Sequence, residues 1–120
     1  MTVVEVSAAT GTGIVVLAVS GELDVANVAA FSAECDRRAA ARSGPVVLRL
    51  EGLDFVDSSA LGALVRLHEG LRGQGRRMVL VGVKPQLRRI LEITGLTGVF
   101  ELSDDIDEVE PAAQGVVRGG

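Results

Sequence analysis

Two serines and an aspartate stand side by side at Asp57-Ser58-Ser59. A hydroxyl at such a place admits three roles: helix cap, nucleophile, or acceptor of a modifying group. A serine nucleophile needs a base within hydrogen-bond reach, itself oriented by a third group. His68 is the only histidine, and it lies ten residues beyond Ser58 on one predicted helix, about 15 Å along the axis at 1.5 Å per residue. No G-x-S-x-G elbow is present. The pair Asp54 and Asp57 suggests a metal pair or a phospho-acceptor aspartate. A response-regulator domain would need further acids near its first strand, which offers only Glu5, and a Lys after a later strand, which Lys84 supplies. Gly11-Thr12-Gly13 lacks the lysine and helix of a phosphate loop, and Gly73-Gln74-Gly75 precedes a strand rather than following one, so both are turns. All three residue types at 57–59 are preferred helix caps, yet capping needs only one of them. Small Ala60 and Gly62 follow, leaving an open surface around a hydroxyl. The residues by themselves support a modification or docking site beside the plain cap.

The flanking elements explain why these side chains come together. Val46–Leu50 is a near-continuous apolar run that fits a central strand. It leads into the Asp57-Ser58-Ser59 junction and then a helix with Leu61, Leu64, Val65, His68 and Leu71 on one face. Unpaired helix N–H groups point outward at such a strand-to-helix junction. Upstream, Val3–Val6 and Ile14–Ser20 predict an antiparallel hairpin joined by a small, Gly-bearing turn. Gly21-Glu22-Leu23-Asp24 is expected to break the second strand, with Asp24 as N-cap of a helix whose apolar face is Val25, Val28, Phe31, Cys35 and Ala39. Ser43-Gly44-Pro45 stops it. Downstream, Met78–Val83 predicts a fourth strand. Pro85 fits the first turn of a third helix with Leu87, Ile90, Leu91 and Thr94 facing inward and Gly95 as its stop. Val99–Leu102 predicts a fifth strand. Ser103-Asp104-Asp105 starts a last acidic helix with Ile106 and Val109 facing in, limited by Pro111. The order β-β-α-β-α-β-α-β-α predicts an α/β fold: one mixed, mostly parallel sheet of about five strands with about four helices, the first strand at an edge. A single domain over 1–110 and a frayed tail over 111–120 are expected.

Composition narrows the partners. The 120 residues are 48% hydrophobic with three Phe and no Trp or Tyr, a globular make-up without the aromatic platforms that stack single-stranded nucleic acid. A net charge of −4 disfavours nucleic acid or an anionic membrane as main partner. Cys35 stands alone, so neither a disulfide framework nor a cysteine metal cluster is expected. No basic leader and no run near 20 apolar residues is visible. The expectation is a cytoplasmic protein with no cofactor, no metal and no catalytic residue of its own.

Three elements in order carry a family resemblance: Gly21-Glu22-Leu23-Asp24, then Leu53-x-Phe55-x-Asp57-Ser58-Ser59-x-Leu61-Gly62, then Pro85-x-Leu87-x-Arg89-x-Leu91-x-x-Thr94-Gly95-Leu96. From about Val3 to Val109 the chain resembles the STAS domain, and more narrowly the bacterial anti-sigma factor antagonists. The resemblance implies a non-enzymatic, partner-switching protein. It would bind an anti-sigma factor that is also a serine kinase of the histidine-kinase-like ATPase fold, and so free a sigma factor. The kinase would inactivate it by phosphorylating Ser58, and a metal-dependent serine phosphatase would restore it. Asp24, Asp57, Ser58, Ser59, Leu61 and Gly62 are the implied partner-binding positions. The alternative within the family is a non-switching scaffold, an accessory subunit of a stress-signalling or transport complex. Ala60 departs from the glycine common there: its methyl either narrows the kinase's approach or favours the helix by about 1 kcal/mol.

The switch has a physical basis. Phosphorylation adds about −1.5 to −2 charges, which a helix N-terminus tolerates without unfolding. Two unit charges about 4 Å apart in a partly excluded interface interact by up to about 4 kcal/mol, and each 1.4 kcal/mol is about tenfold in affinity. Loss of docking, rather than remodelling, is the expected mechanism.

Overall fold

A computed structural model describes residues 3–8, as strand backbone, and residues 13–104. The elements run β1 (Val3–Ala8), β2 (Val15–Leu23), α1 (Val28–Ala40), β3 (Val46–Val56), α2 (Ser58–Gly73), β4 (Met78–Val81), α3 (Pro85–Ile93), a 3-10 turn (Leu96–Gly98) and β5 (Glu101–Ser103). The sheet order is β1-β2-β3-β4-β5. The hairpin pair β1–β2 is antiparallel, and every later pairing is parallel. The expected class, the edge position of β1 and the central position of β3 are all present.

Strand order decides where the helices go. From β2 to β5 the sheet is wound in one direction, and right-handed crossovers then place every connecting helix on the same face. The core agrees. Phe31, Cys35 and Ala39 of α1, Ala60, Leu64 and Leu71 of α2, and Leu87 and Leu91 of α3 share one buried cluster with Leu17, Leu48 and Leu80 of the sheet. Alternate residues of the same strands, Val16, Val47, Val79 and Val81, form a second buried cluster with Ile14 on the opposite face. The winding never reverses between β2 and β5, so the sheet lacks the switch-point crevice where doubly wound proteins hold ligands. The order also differs from the 2-1-3-4-5 arrangement of response-regulator domains, which removes that reading of Asp54, Asp57 and Lys84.

Several boundaries differ from expectation. Gly21-Glu22-Leu23 does not break β2, which pairs with β3 as far as Leu23 and Val56. Gly21 adopts φ 95 at a register shift. Lacking a Cβ, it takes up the irregularity and lets the strand continue. β3 is correspondingly longer than Val46–Leu50. Its two register shifts leave consecutive exposed pairs, Glu51-Gly52 and Asp54-Phe55, where strict alternation would bury one of each. β4 ends at Val81, two residues early, because Gly82 turns with φ 72 beneath the Glu51 side chain. Val99 and Phe100 precede β5 rather than belonging to it, since the 3-10 turn carries the chain over the core edge and buries Phe100. Thr94 faces solvent, its hydroxyl donating to the Ile90 carbonyl at 2.8 Å. Ser103 lies in β5. Asp104, expected to start the last helix, is an exposed bend. The rest of that helix from residue 105, with Ile106 and Val109, and the expected tail lie outside the described residues.

Candidate functional site: the junction between the third strand and the second helix

The C-terminal ends of the parallel strands gather the chemistry-bearing residues: Asp24 beyond β2, Asp57 and Ser58 beyond β3, and Lys84 beyond β4. Asp57 is the residue around which they are organised. Its backbone is extended and it caps α2, with Oδ1 accepting the Ala60 N–H at 3.0 Å. Its second oxygen, Oδ2, accepts the Val25 N–H at 3.0 Å from a loop 32 residues away in sequence. Its own N–H donates to the Leu23 carbonyl at 3.2 Å. One carboxylate therefore fixes the start of α2 and clamps the loop between β2 and α1 onto it. With both oxygens committed to backbone donors, Asp57 has the environment of a structural acid rather than a phospho-acceptor.

The clamped loop is satisfied largely from within. Asn27 Oδ1 accepts the Asp24 N–H at 2.9 Å, Asn27 Nδ2 donates to the Glu22 carbonyl at 2.8 Å, and Asp24 Oδ1 accepts the Ala26 N–H at 2.9 Å. The Asp24 carbonyl accepts the N–H groups of Asn27 and Val28 at 3.1 and 2.9 Å. Asp24 is therefore not the N-cap of α1. The cap position falls on Asn27, whose side chain faces back into the turn. The turn also carries Val25 away from the apolar face expected of it: Val25 is 72% exposed.

Ser58 is the first residue of α2 and is exposed, while Ser59 is half-buried. Among the described residues no hydrogen bond engages the Ser58 hydroxyl, because Asp57 has taken the capping role. Leu61 and Gly62 are half-buried one turn along, and Leu61 packs against the core. Ala60 is wholly buried in the main cluster. Its methyl points into the core, so it does not stand between Ser58 and an approaching partner.

His68 is far from this chemistry. Its ring packs edge-on against Phe100 with centroids 5.7 Å apart, and its buried Nδ1 meets no hydrogen-bond partner among the described residues. Cys35 is wholly buried, and desolvation pushes its thiol up to about 12, leaving it inert. Lys84 pairs with Asp54 across a groove of about 230 Å³ lined by Leu53, Phe55, Leu87 and Ile90. Sequence reasoning missed two residues around the serine, Val25 and the 51%-exposed Phe55. The register shift exposing Phe55 had no sequence signal, whereas the Asp24–Asn27 spacing was a legible turn signal for Val25.

Among the described residues no helix is long and apolar enough to cross a membrane. The STAS domain model matches residues 5–109. The chain is 29% identical over 94 residues to the anti-sigma F factor antagonist of Paenibacillus polymyxa, covering 78% of this chain and 80% of that protein. It is also similar to the solved structure of an anti-sigma factor antagonist from Mycobacterium paratuberculosis, with TM-score 0.81, 25% identity and 95% of each chain covered. The unphosphorylated form of the anti-sigma factor antagonist SpoIIAA shares the fold, with TM-score 0.69, 23% identity, and 98% of this chain and 100% of that one covered. A singly wound sheet, a capped strand-to-helix junction and a family match over nearly the whole length agree: the chain belongs to the STAS domain family.

Proposed function

We propose that this protein is an anti-sigma factor antagonist controlled by phosphorylation of Ser58. It binds a serine-kinase anti-sigma factor of the histidine-kinase-like ATPase fold and thereby frees a sigma factor. The observation that carries the reading is the division of labour at the junction. Asp57 caps α2 and clamps the neighbouring loop with both carboxylate oxygens, leaving Ser58 exposed and outside the hydrogen-bond network that fixes the helix start. Among the described residues His68 packs on Phe100 away from Ser58, and both oxygens of the adjacent Asp57 carboxylate are held by backbone N–H groups, which supports Ser58 as a substrate for another protein's phosphotransfer. The relatives named as antagonists support the same role.

Partner contact falls on Asp24, Asp57, Ser58, Ser59, Leu61 and Gly62. Asp24 and Asp57 act chiefly by holding the surface in shape. Phosphate on Ser58 sits at a helix N-terminus that tolerates its charge and beside the Asp57 carboxylate, so the fold survives while docking fails. A metal-dependent serine phosphatase reverses the modification. No cofactor is needed on this chain, since the kinase partner holds the nucleotide.

The test is intact-mass analysis after incubation with a purified serine-kinase anti-sigma factor from the same genome and ATP. One phosphate per chain on Ser58 is expected. Ser58→Ala should take none and bind the kinase constitutively, and Ser58→Glu should bind weakly. Phosphate confined to Ser59, or none at all, counts against the reading.

A further inference from the structure

Large exposed apolar side chains are few among the described residues: Val25, Phe55, Ile93 and Val99. Two of the four lie beside Ser58. Val25 stands on the β2 side, on the turn whose N–H is held 3.0 Å from Asp57 Oδ2. Phe55 stands on the β4 side, two residues before Asp57, where it lines the groove against Leu87 and Ile90 of α3. Two extended residues span roughly 7 Å, so Phe55 and Val25 both lie within one side chain's reach of the same aspartate.

Neither exposure is an accident of loose packing. Phe55 is turned outward by the register shift that leaves Asp54 unmatched between Leu53 and Phe55. Val25 is held by backbone bonds to Asp57 and within the Asp24–Asn27 turn. Backbone already held in place loses little freedom on association, so apolar side chains carried on it bind at a lower entropic cost.

We propose that Val25 and Phe55 are the apolar anchors of the docking surface, seated in apolar recesses of the serine-kinase anti-sigma factor on either side of the site that receives Ser58. The inference rests on the function proposed above and adds its energetic basis. It also explains how one phosphate abolishes docking. A contact anchored by a valine and a phenyl ring expels water around the serine, and a dianion placed there loses its hydration without gaining a partner.

Binding of the full-length chain to the purified serine-kinase anti-sigma factor, with a non-hydrolysable ATP analogue, tests this directly. Val25→Ser and Phe55→Ser should each weaken binding about tenfold, and the double variant about a hundredfold. In the phosphorylation assay KM should rise with kcat unchanged. The melting temperature should stay at the wild-type value for Val25→Ser and fall by only a few degrees for Phe55→Ser, whose ring is half covered along the groove. Val25→Ile and Phe55→Leu should retain affinity, which separates an apolar contact from a folding defect. Ile93→Ser, at the far end of α3 and 75% exposed, should bind as wild type. Two results would overturn the inference alone: wild type binds and is phosphorylated on Ser58 while both serine variants stay within about twofold, or Ile93→Ser loses as much as they do. A wild-type chain that neither binds nor takes phosphate overturns the underlying function as well.

Discussion

The turn before α1 and the junction before α2 are both built on an aspartate with further cap-forming residues, Asn27 in the first and Ser58 and Ser59 in the second, and they end differently. Before α1, the side chains of Asp24 and Asn27 bond to backbone within the Glu22–Asn27 stretch. Before α2, Asp57 supplies one oxygen to the helix and one to the distant Val25 N–H, and Ser58 is left over. Polar residues in the first region are spent on local shape. In the second, one residue does the structural work of two, and the Ser58 hydroxyl beside it stays outside that network, as the proposed phosphorylation requires.

That contrast can be broken by substitution. The largest effect is expected from Asp57→Ala, which removes a charged N-cap worth about 1–2 kcal/mol and a hydrogen bond to a charged group worth about 1.5–3 kcal/mol. Discounting for partial exposure, thermal unfolding should show a loss of about 2–3 kcal/mol. Hydrogen exchange should speed up at both the Ala60 and Val25 amides. Acceleration at Ala60 alone would mean that the two regions are not coupled through this carboxylate. Next comes Asn27→Ala, which removes two side-chain bonds inside the first turn. A loss of about 1 kcal/mol is expected, with faster exchange confined to the 22–28 stretch and none at Ala60. Smallest is Ser58→Ala, expected within about 0.5 kcal/mol of wild type by denaturant melts. A loss above about 1 kcal/mol there would show that Ser58 shares the cap, and the division of labour would fail.

Ala60 illustrates how an ambiguity of sequence resolves in three dimensions. Read along the chain, the residue two past Ser58 bears on how closely a partner could approach it. In the fold it is wholly buried with Leu64 and Leu71 on the inner face of α2, because a helix turns about 100° per residue and Ser58 and Ala60 therefore point in different directions. Its methyl belongs to the core.

Legibility followed periodicity. The apolar faces of α1, α2 and α3 were visible as Phe31, Cys35 and Ala39, as Leu64 and Leu71, and as Leu87 and Leu91, since burial selects residues at helical spacing. The strands β3 and β4 were visible as aliphatic runs. Strand ends were not. Gly21 reads as a breaker along the sequence, and only pairing with the irregular stretch of β3 lets a positive φ sit inside a strand. Val25 read as the first residue of an apolar face, and the turn bonded through Asp24 and Asn27 lifted it out.

By itself the sequence determined the fold class and the order of the elements from β1 to β5, because propensity and apolar spacing are local properties. It also showed that Ser58 lacks a base, since one histidine ten residues along a helix is out of reach. Tertiary structure alone decided which of the three capping residues caps, what the second oxygen of Asp57 holds, which way Ala60 points and why Phe55 faces solvent. The Asp57–Val25 contact joins segments 32 residues apart, and the exposure of Phe55 depends on the register between β2 and β3. Contacts at such separation are set by how the whole sheet closes, and no local pattern encodes them.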